Sequence, residues 1–280
     1  MSVPHLQYVK FCTPTRARPL ADYSEWRAEE YLDTYYREAI LPDERRVLTF
    51  ELDALTGEHE AFGRALEYGC GPTLHRAIAA ARHVFRIDMA DRVADNLLQI
   101  ERWLKGGRES TDWSRFTRFV LEHEHGSAEQ HAIELSAIEP PAIERREALA
   151  RKVIRQLRLS DARCLHPLGP EREGFYDLLI SGFCIDAVSG DKRVWRQCMA
   201  NVLSMLRPGG LLVLHALHRC RAYRVADRLF PCTDLTADDL FDSLLANGIR
   251  RSSIDIQLAA CPENAPYGYA GILMARGRKR

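Results

Sequence analysis

The segment Glu67–Thr73 is a glycine turn that joins a short apolar run to an alanine-rich helical pattern. Gly69 and Gly71 have no Cβ, so a ligand can lie directly against their backbone. The helix that follows offers free N–H groups to a polar ligand in its first turn. A strand, a glycine turn and a helix in this order predict the opening unit of an α/β fold with a ligand at the turn.

An acidic residue follows the next apolar run. We predict the second strand over residues 83–88, which places Asp88 at its end. An acid after the second strand of a βαβ unit usually binds ribose hydroxyls, so the pattern predicts a nucleoside-containing cofactor. The third glycine of the dinucleotide-binding turn is absent, because Leu74 occupies its place. This replacement shifts the prediction from a nicotinamide dinucleotide to S-adenosylmethionine.

Helical and strand patterns alternate from about residue 60 onward. The alternation predicts a mostly parallel sheet with helices on both faces. Two final runs, 252–260 and 268–275, flank a turn and predict an antiparallel hairpin at the sheet edge. Residues 1–55 are expected to form an N-terminal helical cap, and residues 115–144 an insertion in the core of 56–280. We expect the whole chain, 1–280, to be a single domain.

The net charge and the cysteine content limit the class of protein to which the chain can belong. The net charge of the 280 residues is zero, which gives no electrostatic reason to expect nucleic acid or an anionic membrane as partner. Eight cysteines are scattered without a C-x-x-C pair, which favours a reducing cytoplasm. His123, Glu124, His125 and His131 are interpreted as a polar surface, so no metal is expected. The sequence leaves the oligomeric state open.

Seven short motifs occur in order through most of the chain. They are Tyr31-Leu32-x-x-Tyr35-Tyr36, Gly69-Cys70-Gly71-Pro72-Thr73, Asp88 with Asn96-Leu97 and Glu101-Arg102-Trp103-Leu104, Asp112-Trp113-Ser114, Asp161 before Pro167-Leu168-Gly169, Phe183-Cys184-Ile185-Asp186-Ala187, and Leu206-Arg207-Pro208-Gly209-Gly210. In these motifs the chain resembles the nicotinamide/phenylethanolamine/indolethylamine N-methyltransferase family. The resemblance implies a Rossmann-like class I methyltransferase fold with a seven-stranded sheet, and S-adenosylmethionine as co-substrate.

The resemblance also implies roles for individual residues. Asp88 would bind the ribose hydroxyls, since a carboxylate can accept a hydrogen bond from each. Asp161, with the backbone of Ala162, would bind adenine, and Tyr31 and Tyr36 would donate to the carboxylate of the methionine part. The implied cofactor-binding set comprises Tyr31, Tyr36, Gly69, Cys70, Gly71, Thr73, Asp88, Met89, Asn96, Asp161, Ala162 and Gly182.

The acceptor side departs from the family pattern. In the amine-methylating members of that family an acid follows the strand that we predict here over residues 211–214, and this chain has His215 there, with no carboxylate between Gly209 and Asp227. We therefore expect a small-molecule acceptor that is uncharged or anionic at its reacting end. Tyr35, His215 and His218 are the acceptor-side candidates, and a histidine can act as a base near neutral pH. Simple polar lining of the pocket is the alternative role for the two histidines.

Three functions fit these observations. The first is methyl transfer from S-adenosylmethionine to a small molecule. The second is cyclisation of the cofactor by its own α-amine, which releases methylthioadenosine and azetidine-2-carboxylate. The third is a non-catalytic protein that binds the cofactor. The intact set of cofactor residues favours an enzyme.

Overall fold

The computed structural model describes residues 20–58, 60–107, 110–126 and 140–280. Within these ranges the strands are β1 (Ala65–Tyr68), β2 (Ile87–Asp91), β3 (Ile154–Leu159), β4 (Tyr176–Gly182), β5 (Leu206–Leu217), β6 (Ala222–Val225), β7 (Arg228–Pro231), β8 (Asp255–Ala260) and β9 (Gly271–Arg278). The helices are α1 (Ala28–Tyr35), α2 (Pro42–Thr56), α3 (His75–Ala80), α4 (Ala94–Leu104), α5 (Ser114–Gly126), α6 (Pro140–Val153), α7 (Lys192–Leu203) and α8 (Ala237–Ala246).

In the described part of the chain, seven strands form one sheet in the order β3-β2-β1-β4-β5-β9-β8. β1 pairs in parallel with β2 and β4, whereas β9 runs antiparallel to both β5 and β8. The predicted fold class, with its C-terminal antiparallel hairpin, is confirmed. The chain leaves β1 towards β2 and β3 and later returns to β4 on the other side. A crevice forms at the carboxyl ends of the strands where the order reverses in this way, and ligands bind there.

Side chains alternate between the two faces of the sheet and divide the core in two. On β4, Leu178 and Ile180 pack on the face that carries α2, α3 and α5, while Leu179 packs on the face of α7 and α8. All three are fully buried. Burial of β4 on both faces agrees with its near-continuous apolar sequence.

The position of β2 differs from the prediction. The strand begins at Ile87 and continues to Asp91, whereas the predicted range was 83–88. Val84 makes only an isolated bridge, and the side chain of Phe85 is 72% exposed, so the apolar run before Ile87 lies outside the strand. Asp88 is accommodated inside the sheet because it accepts a hydrogen bond of 2.9 Å from the Tyr176 hydroxyl. Asp88, which was predicted to end the second strand, is therefore an interior residue of β2.

The predicted cap and insertion both contribute to the layer of helices on the sheet. α2 falls within the range expected for the cap except for its last residue, yet it contacts α3, α5, β5 and β9. α5 falls within the range expected for the insertion except for its first residue, and it buries Phe116 and Val120 against the same core. The segment 23–41 lies over the carboxyl ends of the strands, where the cap was expected. Residues 1–19 and 127–139, including His131, lie outside the described residues.

A short hairpin of β6 and β7 was not predicted. Its two strands pair in antiparallel register, and β6 contacts α1. This contact places Tyr223 beside the segment that covers the strand ends. In the ranges that the structure describes, no helix has the length and apolar character needed to cross a membrane.

Candidate active site

A cavity lies at the carboxyl ends of β1, β2, β4 and β5, beneath the segment 23–41. It encloses about 1090 Å³, including open space at its mouth. Residues of the strand ends, the cap segment and the β8–β9 connection line it: Tyr23, Trp26, Tyr31, Tyr35, Tyr36, Leu41, Asp43, Glu44, Gly69, Cys70, Gly71, Thr73, Arg76, Asp91, Arg92, Val93, Asn96, Gly182, Phe183, Cys184, Ala187, Val188, Leu217, Tyr223 and Tyr269.

The glycine turn forms one wall of this cavity. Gly69 and Gly71 adopt left-handed backbone angles, with φ of 72° and 59°. A Cβ on Gly69 would meet the Cys184 sulfur at 1.9 Å, so only glycine lets the turn pack against the loop after β4. The Thr73 hydroxyl donates to the Cys70 carbonyl at 2.7 Å and fixes the turn from within. Burial raises the pKa of the Cys70 thiol well above its ordinary value, so this cysteine stays protonated.

Asp91 is the carboxylate at the end of β2 that borders the cavity. Its Oδ2 accepts a hydrogen bond from the Gly71 amide at 2.8 Å, which ties the strand end to the glycine turn. Its Oδ1 accepts bonds from the Val93 amide at 2.8 Å and the Asn96 side chain at 3.0 Å. A carboxylate has about four lone pairs, so Oδ2 retains the capacity to accept another donor.

Asn96 links this carboxylate to the cap. Its Oδ1 accepts a 2.8 Å hydrogen bond from the indole N–H of Trp26, and this donor fixes the orientation of the amide. Trp26 and Asp91 were both missed as site residues from the sequence. Asp91 stands five positions before Asn96 in the chain. Asp91 ends β2, and Asn96 lies in the first turn of α4, so an acid a few residues before that helix was the available signal.

Two predicted cofactor residues do not reach the cavity. Asp88 lies three residues below the end of β2, roughly 10 Å along the strand. Besides Tyr176, its carboxylate has Arg172 at 3.7 Å. Met89 is fully buried in the hydrophobic core. Asp88 and Met89 thus belong to the interior of β2, and neither lines the cavity.

Asp161 and Ala162 follow the end of β3 and do not line the cavity. The Asp161 carboxylate binds the Arg163 guanidinium at 2.7 Å and lies 3.5 Å from Arg92, which does line it. Ala162 is buried, and its carbonyl accepts a bond from Asn201. The two predicted adenine ligands are thus not part of the cavity wall, although Asp161 contacts a residue of that wall, Arg92.

The predicted tyrosines and Gly182 do border the cavity. The rings of Tyr31 and Tyr36 are 5.5 Å apart, and Trp26 packs on Tyr31 at 4.9 Å. Burial raises the pKa of Tyr31 to about 12 and that of Tyr36 well above its ordinary value, so both hydroxyls remain hydrogen-bond donors at neutral pH. A Cβ on Gly182 would meet the Arg76 guanidinium at 2.7 Å, which explains the need for glycine there.

Among the three acceptor-side candidates, only Tyr35 lines the cavity. Its hydroxyl donates to the Arg224 carbonyl, and burial raises its pKa. His215 is 1% exposed and lies behind the wall, with Nε2 at 3.6 Å from Glu51. Burial and the Arg76 charge lower the pKa of His215 to about 3. His218 does not border the cavity either, so the structure places neither histidine where it could touch a bound acceptor.

A cluster of buried charges lies at one wall of the cavity. Glu44 Oε1 is 3.0 Å from Arg76 Nη2 and 2.8 Å from His75 Nε2. Burial alone would raise the pKa of Glu44, but Arg76 and His75 outweigh it and hold the pKa at about 2. Burial and Arg76 lower the pKa of His75 to about 4, so the ring is neutral. Within the described ranges, no three His, Cys, Asp or Glu side chains are grouped so that they could hold a metal ion.

Glu67→Gln is expected to remove one pH dependence of stability. Burial raises the pKa of Glu67 to about 8 from an ordinary value of 4.5, although Arg76 opposes the shift. The folded protein therefore keeps a proton that the unfolded chain releases, and this contribution is complete below pH 4.5 and lost as the pH rises through 8. Urea unfolding should show the variant gaining about 1 kcal/mol or more over the wild type between pH 5 and pH 8.5. A difference that stays constant across this range would contradict the burial of a protonated Glu67.

Comparisons with known proteins agree with the fold and motifs described above. The model of the NNMT/PNMT/TEMT family matches residues 18–280. Indolethylamine N-methyltransferase of Oryctolagus cuniculus is 27% identical over 227 residues, which cover 78% of this chain and 80% of that protein. Nicotinamide N-methyltransferase of Sus scrofa is 28% identical over 217 residues, 74% of this chain and 75% of that protein.

One solved structure is similar in fold across nearly the whole chain. It is the Burkholderia thailandensis 1,6-didemethyltoxoflavin-N1-methyltransferase, with bound 1,6-didemethyltoxoflavin and S-adenosylhomocysteine. The match has a TM-score of 0.52 and 14% identity, and it covers 95% of this chain and 94% of that one. At this identity the similarity concerns the fold alone.

Proposed function

Because the chain belongs to the NNMT/PNMT/TEMT family, we propose that it transfers the methyl group of S-adenosylmethionine to a nitrogen atom of a small molecule. Its matched relatives are N-methyltransferases, and family membership makes this chain a methyltransferase. The observation that carries the proposal is the convergence of the glycine turn and Asp91 on one wall of a cavity that aromatic residues cover. We propose neither nucleic acid nor a membrane as partner, and we keep the cytoplasm as the proposed compartment.

The residues of that wall fit the proposed co-substrate. Gly71 has no side chain between its backbone and the cavity, and a Cβ there would have nothing closer than 3.8 Å. Asp91 Oδ2 can accept a ribose hydroxyl, so Asp91 takes the role first predicted for Asp88. The buried hydroxyls of Tyr31 and Tyr36 are suited to donate to the carboxylate of the methionine part. Asp161 and Ala162 remain the proposed adenine ligands, next to Arg92.

When bound, S-adenosylmethionine supplies a methyl carbon attached to a positively charged sulfur, and a neutral thioether leaves, so the reaction needs no metal. The protein's part is to position the acceptor and exclude water. The aromatic faces of Tyr31, Tyr35 and Tyr36 also suit a cationic sulfur, through attraction to the negative face of each ring. In the described ranges no histidine borders the cavity. We therefore propose that the acceptor brings a free lone pair to the reaction and is not deprotonated by a histidine.

The two alternatives from the sequence have less support. The comparisons do not favour the cyclase, because the matched relatives transfer a methyl group to an external nitrogen acceptor. A protein without catalytic activity is disfavoured for the same reason.

Product analysis tests the proposal directly. The protein is incubated with S-adenosylmethionine, alone and with nicotinamide, indolethylamine or phenylethanolamine, and the products are identified by mass spectrometry. We expect S-adenosylhomocysteine together with a methylated amine only when an acceptor is added. Methylthioadenosine and azetidine-2-carboxylate without an acceptor would instead identify a cyclase. Tight cofactor binding without any product would favour the non-catalytic alternative.

A further inference from the structure

Three carboxylates line the cavity, and one of them has an oxygen without a partner. Asp91 is bound by Gly71, Val93 and Asn96, and Glu44 is paired with His75 and Arg76. Asp43 is 4% exposed, and its Oδ1 has no hydrogen-bond partner among the described residues. Buried polar atoms are nearly always hydrogen-bonded, so an orphaned carboxylate oxygen at a cavity wall points to a ligand.

The other carboxylate oxygen of Asp43 is fixed by a hydrogen bond. Its Oδ2 accepts a 2.8 Å hydrogen bond from the Tyr269 hydroxyl, and that hydroxyl accepts a 3.1 Å bond from the Asn264 amide. Asp43 also lies in the first turn of α2, where the partial positive charge of the helix N-terminus favours a negative side chain. Segments distant in sequence thus fix one oxygen of Asp43, while the other is buried without a hydrogen bond among the described residues.

Asp43 lies in the half of the cavity opposite the glycine turn and Asp91, which we call the acceptor half. Tyr269 lies two residues before β9, and Leu217 ends β5, so this half faces the strands opposite the glycine turn and Asp91. The rings of Tyr35 and Tyr267 pack at 5.3 Å on the same side. Aromatic surface around a carboxylate suits a molecule that is flat or apolar and carries a nitrogen-bound hydrogen.

We infer that Asp43 is the acceptor-binding carboxylate of this enzyme and accepts a hydrogen bond from an N–H group of the acceptor. His215, which stands where the family pattern has an acid, is buried within β5, so the carboxylate comes from α2 instead. The inferred acceptor therefore carries an N–H group, as an amine or an amide does, and it can be a cationic amine as well as the uncharged molecule expected from the sequence. This inference rests on the proposed function, since it assigns the second substrate of the same cavity.

Binding to the protein saturated with S-adenosylhomocysteine tests the inference without turnover. Indolethylamine, phenylethanolamine and nicotinamide are titrated by calorimetry into wild type, Asp43→Asn and the control Asp53→Asn. Asparagine keeps the shape of Asp43 and can still accept from Tyr269, but it loses the charge and turns an N–H donor towards the acceptor. Asp53 lies on the same helix with its side chain 58% exposed, so it controls for the chemistry of the substitution.

We expect at least one of the three compounds to bind the wild type. Asp43→Asn should weaken that binding at least tenfold and leave the affinity for S-adenosylhomocysteine within twofold, while Asp53→Asn changes neither. For indolethylamine, the hydroxyl analogue indole-3-ethanol should lose much less affinity than the amine on the same substitution. Equal affinities of wild type and Asp43→Asn, or no binding of any of the three compounds, would overturn the inference.

The outcome separates this inference from the proposed function. Amine binding that depends on Asp43 but produces no methylated amine would retain the acceptor site and reject the proposed reaction. Methylation with unchanged kcat/KM in Asp43→Asn would retain the reaction and leave Asp43 as a structural partner of Tyr269.

Discussion

Glu44→Gln is expected to destabilise the protein by about 3–5 kcal/mol, the usual effect of removing one partner of a buried ion pair. Arg76 is 4% exposed, and Glu44 at 3.0 Å is its nearest counter-charge. Glu51 lies farther away, at 3.8 Å, and burial raises its pKa well above its ordinary value, which disfavours its charged form. Without Glu44 the guanidinium is left as an uncompensated charge in the core.

Urea unfolding at pH 7 measures this effect. Glu101→Gln serves as the control, because Glu101 forms an exposed pair with Lys105 at 2.7 Å on α4. Exposed pairs contribute about 0–1 kcal/mol, so the control should stay close to the wild type. The double variant Glu44→Gln, Arg76→Gln should recover part of the loss, since it removes the orphaned charge. If Glu44→Gln costs no more than Glu101→Gln, the ion pair does not stabilise the core.

The order of strands and helices follows from local pattern, and this is why the sequence predicts the fold well. β4 is apolar along its length because both of its faces are buried. The turn before α3 is recognisable because its left-handed backbone angles favour glycine, and the sequence has Gly69 and Gly71 there. The prediction of β2 was wrong for a reason of the same kind. Asp88 is polar in a buried strand, and nothing local reveals that Tyr176, distant in sequence, supplies its hydrogen bond.

The acceptor half of the cavity could not be predicted from the sequence, and the reason is different. Asp43, Asn264 and Tyr269 come from opposite ends of the chain and meet only because α2 packs beside β9. A search for an acid near His215 in sequence cannot find an acid that approaches from α2. The cofactor half was easier to predict, because its glycines and Asn96 lie within one βαβ unit.

Asp91→Asn is expected to weaken binding of S-adenosylmethionine at least 30-fold, or about 2 kcal/mol or more. Asp91 is the carboxylate that joins the end of β2 to the glycine turn, through Gly71 at 2.8 Å. Asparagine at this position can accept from Val93 and Asn96, but its amide group then faces the Gly71 N–H and a ribose hydroxyl loses a charged acceptor. The dissociation constant is measured by calorimetry, and the melting temperature is recorded to confirm that the variant is folded.

Asp88→Asn is the matched control, since it makes the same substitution three residues earlier in the same strand. Its side chain is 2% exposed and bound to Tyr176, and it does not border the cavity. The amide oxygen can still accept from the Tyr176 hydroxyl, so we expect cofactor affinity within about threefold of the wild type, on the order of 0.6 kcal/mol. The opposite result, with affinity lost in Asp88→Asn and retained in Asp91→Asn, would mean that the cofactor binds away from the end of β2. The two substitutions differ by three positions along one strand, so their contrast tests whether the carboxyl edge of the sheet is the binding edge.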